Sequence, residues 1–173
     1  KETIILDEYN ILTNINLLEW EFLPNSNFKL IEKLLHKNKH EPCKIIYNCS
    51  NYETRKSWVS KIKDEKFKYV LIHTTPHTGT RYYYSSINTN GHFNISKIIF
   101  GDSGINNAII DMDGMYGMTQ HSMGIEFTQL KEAEQIKKYI ESDEFNSILN
   151  SCSWSNFQID WRLFTYFRQD FYI

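Results

Sequence analysis

Asp111, Asp113, His121 and Glu126 make an oxygen-rich set with one imidazole, the residue types that hold a divalent metal for phosphodiester hydrolysis. A two-carboxylate nuclease also places a lysine two residues after its second carboxylate, to position the attacking water. Here Phe127 and Thr128 follow Glu126. Asp64-Glu65-Lys66 has the carboxylate-x-lysine form, but no aspartate stands between residues 8 and 63. Asp111 and Asp113 are read rather as formers of a turn around Gly114. His40, Cys43 and Cys49 are spaced loosely for zinc with no evident fourth ligand, so buried thiols are the default reading.

Gly101-Asp102-Ser103-Gly104 has a superficial likeness to the nucleophile loop of trypsin-like proteases. That chemistry needs a glycine where Ile105 stands, a histidine base and a buried aspartate upstream, and far more strand. The likeness is read as chance.

The segment Thr78–Ser86 offers binding chemistry instead. Arg81 followed by Tyr82, Tyr83 and Tyr84 supplies charge and stacking faces, with hydroxyls from Thr78, Thr80, Ser85 and Ser86. Strand alternation sends Arg81, Tyr83 and Ser85 to one face and Tyr82, Tyr84 and Ser86 to the other. Exposed Arg and Tyr beside threonines suit phosphate contact, and arginine also reads guanine. The structural alternative is a tyrosine-rich strand packing its rings against helices.

The stretch Lys97–Phe127 holds five of the chain's seven glycines. Ile98-Ile99-Phe100 and Ala108-Ile109-Ile110 read as short buried strands, each ended by a tight polar turn. Tyr116-Gly117-Met118-Thr119-Gln120-His121-Ser122-Met123-Gly124 then sets aromatic, amide, hydroxyl and imidazole groups among glycines that permit close approach of a partner. A plain structural loop explains the same residues.

These groups need a frame. Residues 1–25 read as an N-terminal extension or linker remnant, strand or short helix, and 26–173 as a single domain. Ser26 is expected to cap a helix to about Lys37, with Phe28, Ile31 and Leu35 inward. A short strand is expected over Cys43–Asn48. A second helix, capped by Ser50 or Asn51, is expected to reach about Lys63, with Trp58, Val59 and Ile62 inward. Lys68–Thr74 reads as a strand. The Asn90-Gly91 turn makes strands near 81–87 and 94–100 antiparallel neighbours. Helices follow from Thr128, from Ser142, and over roughly 157–168. The fold class is α+β: a mixed, mainly antiparallel sheet, helices in the N-terminal third and a C-terminal helical segment.

Net charge is −2, but residues 29–97 carry 13 Lys/Arg against 5 Asp/Glu, between acidic flanks. A basic middle suits a polyanion, although lysines on solvated helix backs give the same count. Eleven tyrosines and eleven phenylalanines exceed the needs of a small core and leave some for a contact surface. Three cysteines do not suggest a disulfide framework, and neither a signal peptide nor a membrane-length apolar run is visible. A cytoplasmic protein without membrane contact is expected.

One resemblance joins these pieces. The order runs from a strand through a Thr/Pro/Gly loop to Tyr82-Tyr83-Tyr84-Ser85-Ser86. Lys97-Ile98-Ile99-Phe100 and Tyr116-Gly117-Met118-Thr119 follow. The helical end runs from Ile136-Lys137-Lys138-Tyr139-Ile140 to Trp161-Arg162-Leu163-Phe164. Over about residues 66–172 this resembles the C-terminal target-recognition domain of adenine-N6 DNA methyltransferases and related restriction–modification enzymes. In that family a Gly-rich loop binds S-adenosylmethionine and an Asp/Asn-Pro-Pro-Tyr/Phe element holds the flipped adenine. Pro24, Pro42 and Pro76 are isolated, so the second element cannot occur, and no Gly-rich phosphate loop is present.

The resemblance therefore implies recognition without catalytic residues or a cofactor in this chain. S-adenosylmethionine would enter only if a parent protein carries a methyltransferase domain, which would also be a partner. Double-stranded DNA is the expected ligand, without metal. Carried over by position, Thr78, Thr80, Arg81 and Tyr83 face DNA, as do Tyr116, Thr119, Gln120 and His121. Asn106, Asn107 and Gln120 suit adenine, and Arg81 suits guanine. Lys97, Arg162 and Arg168 are phosphate candidates. The alternatives are a metal-dependent nuclease using Asp111, Asp113 and Glu126, and a protein-interaction module.

Overall fold

The computed structural model describes residues 2–47, 50–153 and 158–173. The class is α+β, and every strand pairing among these residues is antiparallel except one. There are three sheets where one was expected. β1 (Glu2–Leu6) and β2 (Leu12–Asn16) form a hairpin. A four-stranded sheet runs β3 (Ile45–Ile46), β10 (Ser122–Glu126), β7 (Lys97–Gly101), β8 (Gly104–Asp111). A second runs β4 (Val59–Ser60), β6 (Arg81–Ser85), β5 (Tyr69–Thr74), β9 (Gly117–Met118), with β9 parallel to β5.

The first sheet is buried on both faces because its strands are continuously apolar, as in Ile98-Ile99-Phe100. On one face Ile98, Phe100, Met123 and Ile125 meet the helices. These are α1 (Phe28–Leu34), α2 (Leu130–Ile140), α3 (Asp143–Ser151) and α4 (Arg162–Tyr166). Phe145, Phe164, Phe167 and Phe171 pack edge-on and tilted there, with centroids 5.6–6.3 Å apart. Such pairs add about 0.5–1.5 kcal/mol each beyond area burial. Of the ten described phenylalanines eight are buried, and Phe22 and Phe67 are half-buried. On the other face Ile99 meets Ile72 and Met118 of the second sheet. Val59 and Leu71 of that sheet form a separate buried cluster with Tyr52 and Phe93.

Several sequence expectations fail for long-range reasons. No helix forms after Asn51: the indole Nε1 of Trp58 donates to Asn51 O (3.0 Å), and Val59–Ser60 pairs with β6 instead. β6 and β7 lie in different sheets, so Asn90-Gly91 does not close a hairpin. The segment between them is a crossover tied down by Tyr52, whose hydroxyl accepts from Asn90 N (3.1 Å). Asn27, not Ser26, precedes α1, and the Ser26 hydroxyl donates to Glu8 and Ser151. Ser142 caps α3 as expected, accepting from Phe145 N (3.2 Å). The last helix is only Arg162–Tyr166 within the described residues, and Phe157, its expected start, lies outside them. Asn48, the end of the expected 43–48 strand, lies outside them too. Residues 1–25 contribute Ile15 and Trp20 to the main core, with Trp20 against Phe28 at 5.5 Å.

Candidate nucleic-acid interface

β5 and β7 end, and β6, β8 and β10 begin, at one end of the two sheets, so the segments 75–80, 102–103 and 119–121 cluster there. Hydrogen bonds lock the ends together. Ser122 Oγ donates to Ile72 O (2.7 Å), Thr119 N to the same carbonyl (3.0 Å), and Gly101 N to Thr75 Oγ1 (3.1 Å).

Two irregularities shape this end. On β5, two residue steps from Ile72 to Thr74 face one on β6, so His73 is the extra residue of a β-bulge. Bulges re-aim a side chain, and the His73 ring lies against Tyr83, with centroids 4.7 Å apart. On β8, five steps from Gly104 to Ile109 face two on β7, an irregularity that keeps Ile105 in the core and leaves Asn107 exposed. Asn107 Nδ2 then donates to Pro76 O (2.9 Å), tying that stretch to the loop before Arg81.

Two histidines meet here. His121 Nδ1 donates to Asp102 Oδ2 (3.0 Å), and the other carboxylate oxygen of Asp102 accepts from Ser103 Oγ (3.0 Å). His73 Nδ1 lies 2.8 Å from Thr119 Oγ1. The rings stand edge to face with centroids 5.1 Å apart. Burial, the facing His121 and the charges of Arg81 and Lys61 lower the His73 pKa, against the opposing pull of Asp102. Because Ser103 bonds the carboxylate and not an imidazole, the relay a serine nucleophile requires is missing.

The expected site residues divide. Thr78, Arg81 and Asn107 are exposed at this end, and Thr80, Tyr83, Asn106 and His121 are half-buried there. Thr119 also belongs here but is buried, as a support for His73. Gln120 is present with its amide engaged: Oε1 accepts from Thr54 N (3.0 Å) and Nε2 donates to Thr54 Oγ1 (2.9 Å). That clasp fixes the 50–58 segment and removes the pairing geometry expected for adenine.

Other expected residues lie elsewhere. Lys97 is fully buried at the opposite end of β7, ion-paired with Asp111, and cannot touch phosphate. Tyr116 is next to that pair, its N–H donating to Asp111 Oδ2 (3.0 Å). Arg162 is on the helical side, paired with Asp160 (2.6 Å), and Arg168 is paired with Asp170 (2.9 Å). In the nuclease alternative, Glu126 and Asp111 flank Lys97 in one cross-strand row, so an ammonium stands between the carboxylates. Among the described residues no three His, Cys, Asp or Glu side chains are grouped to hold a metal. Of the loosely spaced zinc set, Cys49 lies outside the described residues, and burial raises the Cys43 thiol pKa to about 12.

Sequence reasoning missed His73, Asp102 and Lys61. Asp102 was seen only as part of the glycine-flanked loop. Lys61 directly follows Ser60, which pairs with Tyr84, and no periodicity marks it. Comparison with protein-family models, curated proteins and solved structures found no match. No helix among the described residues is long and apolar enough to cross a membrane.

Proposed function

We propose that this chain is a sequence-specific duplex-DNA-binding domain, a target-recognition unit of a restriction–modification or adenine-N6 methyltransferase system. The observation that carries this reading is Arg81. It is exposed, has no carboxylate partner among the described residues, and begins β6 at the sheet end where the segments carrying Thr78, Thr80 and His121 also lie. An unpaired guanidinium among short polar donors suits both phosphate contact and bidentate guanine recognition. The basic middle of the sequence supplies the long-range attraction.

Fluorescence anisotropy with a duplex library at several salt concentrations tests the reading. Binding is expected to weaken as salt rises and to favour one short sequence by at least about tenfold. Absence of binding to any duplex at low salt would sink it.

A protein partner is favoured by a separate feature. Ile4, Leu6 and Leu12 of the hairpin, and Leu18 beyond it, are all more than half exposed. An apolar patch of this kind suits a protein contact, such as a catalytic domain. Stable capture of a protein through this hairpin, beside indifference to DNA, would put the interaction-module reading first.

A further inference from the structure

We propose that His73 and His121, flanked by Arg81 and Lys61, form a subsite for one phosphodiester group, and that occupying it takes up a proton. The proposal rests on the DNA-binding reading above, and it assigns that surface a particular contact and a particular pH dependence.

Both imidazoles have one nitrogen engaged and one free. Nδ1 of His121 is held by Asp102 and Nδ1 of His73 by Thr119. Neither Nε2 has a partner among the described residues, and neither is a buried orphan, so both edges remain open to a ligand. The two rings adjoin edge to face, with centroids 5.1 Å apart.

The charges at the site are unbalanced. Two groups able to become cationic, His73 and His121, sit with two permanent cations, Arg81 and Lys61, while Asp102 is the carboxylate acting on His73. Tyr83 packs on the His73 ring. Neither Arg81 nor Lys61 has a salt bridge among the described residues, and the His121–Asp102 pair is only partly shielded, with His121 37% exposed. A phosphodiester supplies the missing negative charge and accepts from several N–H donors at once.

The proton linkage follows from the same charges. In the free protein the His73 pKa is lowered, by burial first and then by the facing His121 and the cations Arg81 and Lys61. A bound anion reverses that balance and draws a proton onto the ring. Affinity for the anion is therefore greatest at low pH and is lost as pH rises through the His73 pKa of the complex.

Dimethyl phosphate is a suitable probe because its single charge is constant over this pH range. Imidazole resonances of the full chain would be followed by NMR while dimethyl phosphate is added, with chloride at matched ionic strength as control. Saturable shifts at His73 and His121, absent at His36 and His40, and an upward move of the His73 midpoint by about half a unit or more are expected. Equal shifts at all histidines, or none, would overturn the proposal.

The second arm measures duplex affinity from pH 5 to 8. A total gain of about threefold or more on acidification, the fold-change that a half-unit or larger midpoint shift gives by linkage, is expected, and His73→Gln should flatten it. DNA binding with no pH slope in the wild type overturns the subsite while leaving DNA recognition standing. Dimethyl phosphate binding without duplex binding keeps the subsite and removes DNA recognition.

Discussion

Lys97 Nζ lies 2.7 Å from Asp111 Oδ2 between adjacent strands, with both side chains almost wholly out of solvent. The lysine also donates to Ile95 O (3.2 Å), and the aspartate accepts from the N–H groups of Met115 and Tyr116. The pair thus fixes the turn that follows β8. Lys97→Ala leaves an uncompensated carboxylate in the interior, and a loss of about 3–5 kcal/mol is expected from urea unfolding. If the wild type binds DNA as proposed, the folded fraction of the variant should bind equally. Unchanged stability would mean that water reaches Asp111.

His92 is 2% exposed, its Nδ1 accepts from Met118 N (3.2 Å), and its Nε2 is buried without a partner. Burial, and then the nearby Lys97 charge, lower its pKa to about 4. The unfolded chain binds this proton from about pH 6.5 downward, whereas the folded chain resists until about pH 4. Stability should therefore fall as pH drops through that window, by about 3 kcal/mol in total from this group. Unfolding free energies at pH 7, 5.5 and 4.5 check this. His92→Asn should start lower but lose less on acidification, and equal slopes would remove His92 as the cause.

Local pattern carried much of the fold into view. β5, β7, α2 and α3 follow from continuous apolar runs or helical spacing, and the Ser142 cap from its residue type and position. What failed depends on contacts far along the chain. Trp58, Val59 and Ile62 have helical spacing, yet the Gln120 clasp on Thr54, 66 residues away in sequence, holds that region as loop. His73 gained its place from a bulge and from Thr119, 46 residues on, so nothing beside it in the sequence marks a site. The glycines of the Tyr116–Gly124 stretch were expected to admit a partner. A Cβ at Gly117 would instead meet Leu71 and Phe93 of this same chain, at 2.5 and 2.8 Å.

Gly91 and Gly114 separate backbone conformation from space. Gly91 has φ +81° with nothing near its missing Cβ, so Gly91→Ala should cost about 1 kcal/mol, the left-handed penalty alone. Gly114 has φ +64°, and a Cβ there would collide with the backbone of Asn94 and Ile95. Gly114 O also accepts from Asn94 N (2.8 Å), so the two segments cannot part without losing that bond. Gly114→Ala should cost at least about 2 kcal/mol more than Gly91→Ala by thermal or urea unfolding. Similar costs for the two would mean that the 94–95 segment yields easily.

Arg81 and Arg162 test where the nucleic acid lies. Both are exposed, and residue type alone does not rank them. Arg162 already faces Asp160 with its guanidinium, through Nε and a terminal nitrogen, on the helical side of the molecule. Arg81 stands unpaired at the loop end beside the two imidazoles. If DNA crosses that end, Arg81→Ala should weaken binding about tenfold and lower the slope of log affinity against log salt by about one. Arg162→Ala should change neither, because the charge it removes is already balanced and lies off the contact. Anisotropy titrations between 50 and about 200 mM salt give both quantities for each variant. A salt slope that falls with Arg162 and holds with Arg81 would move the interface to the helical layer and away from the histidine pair.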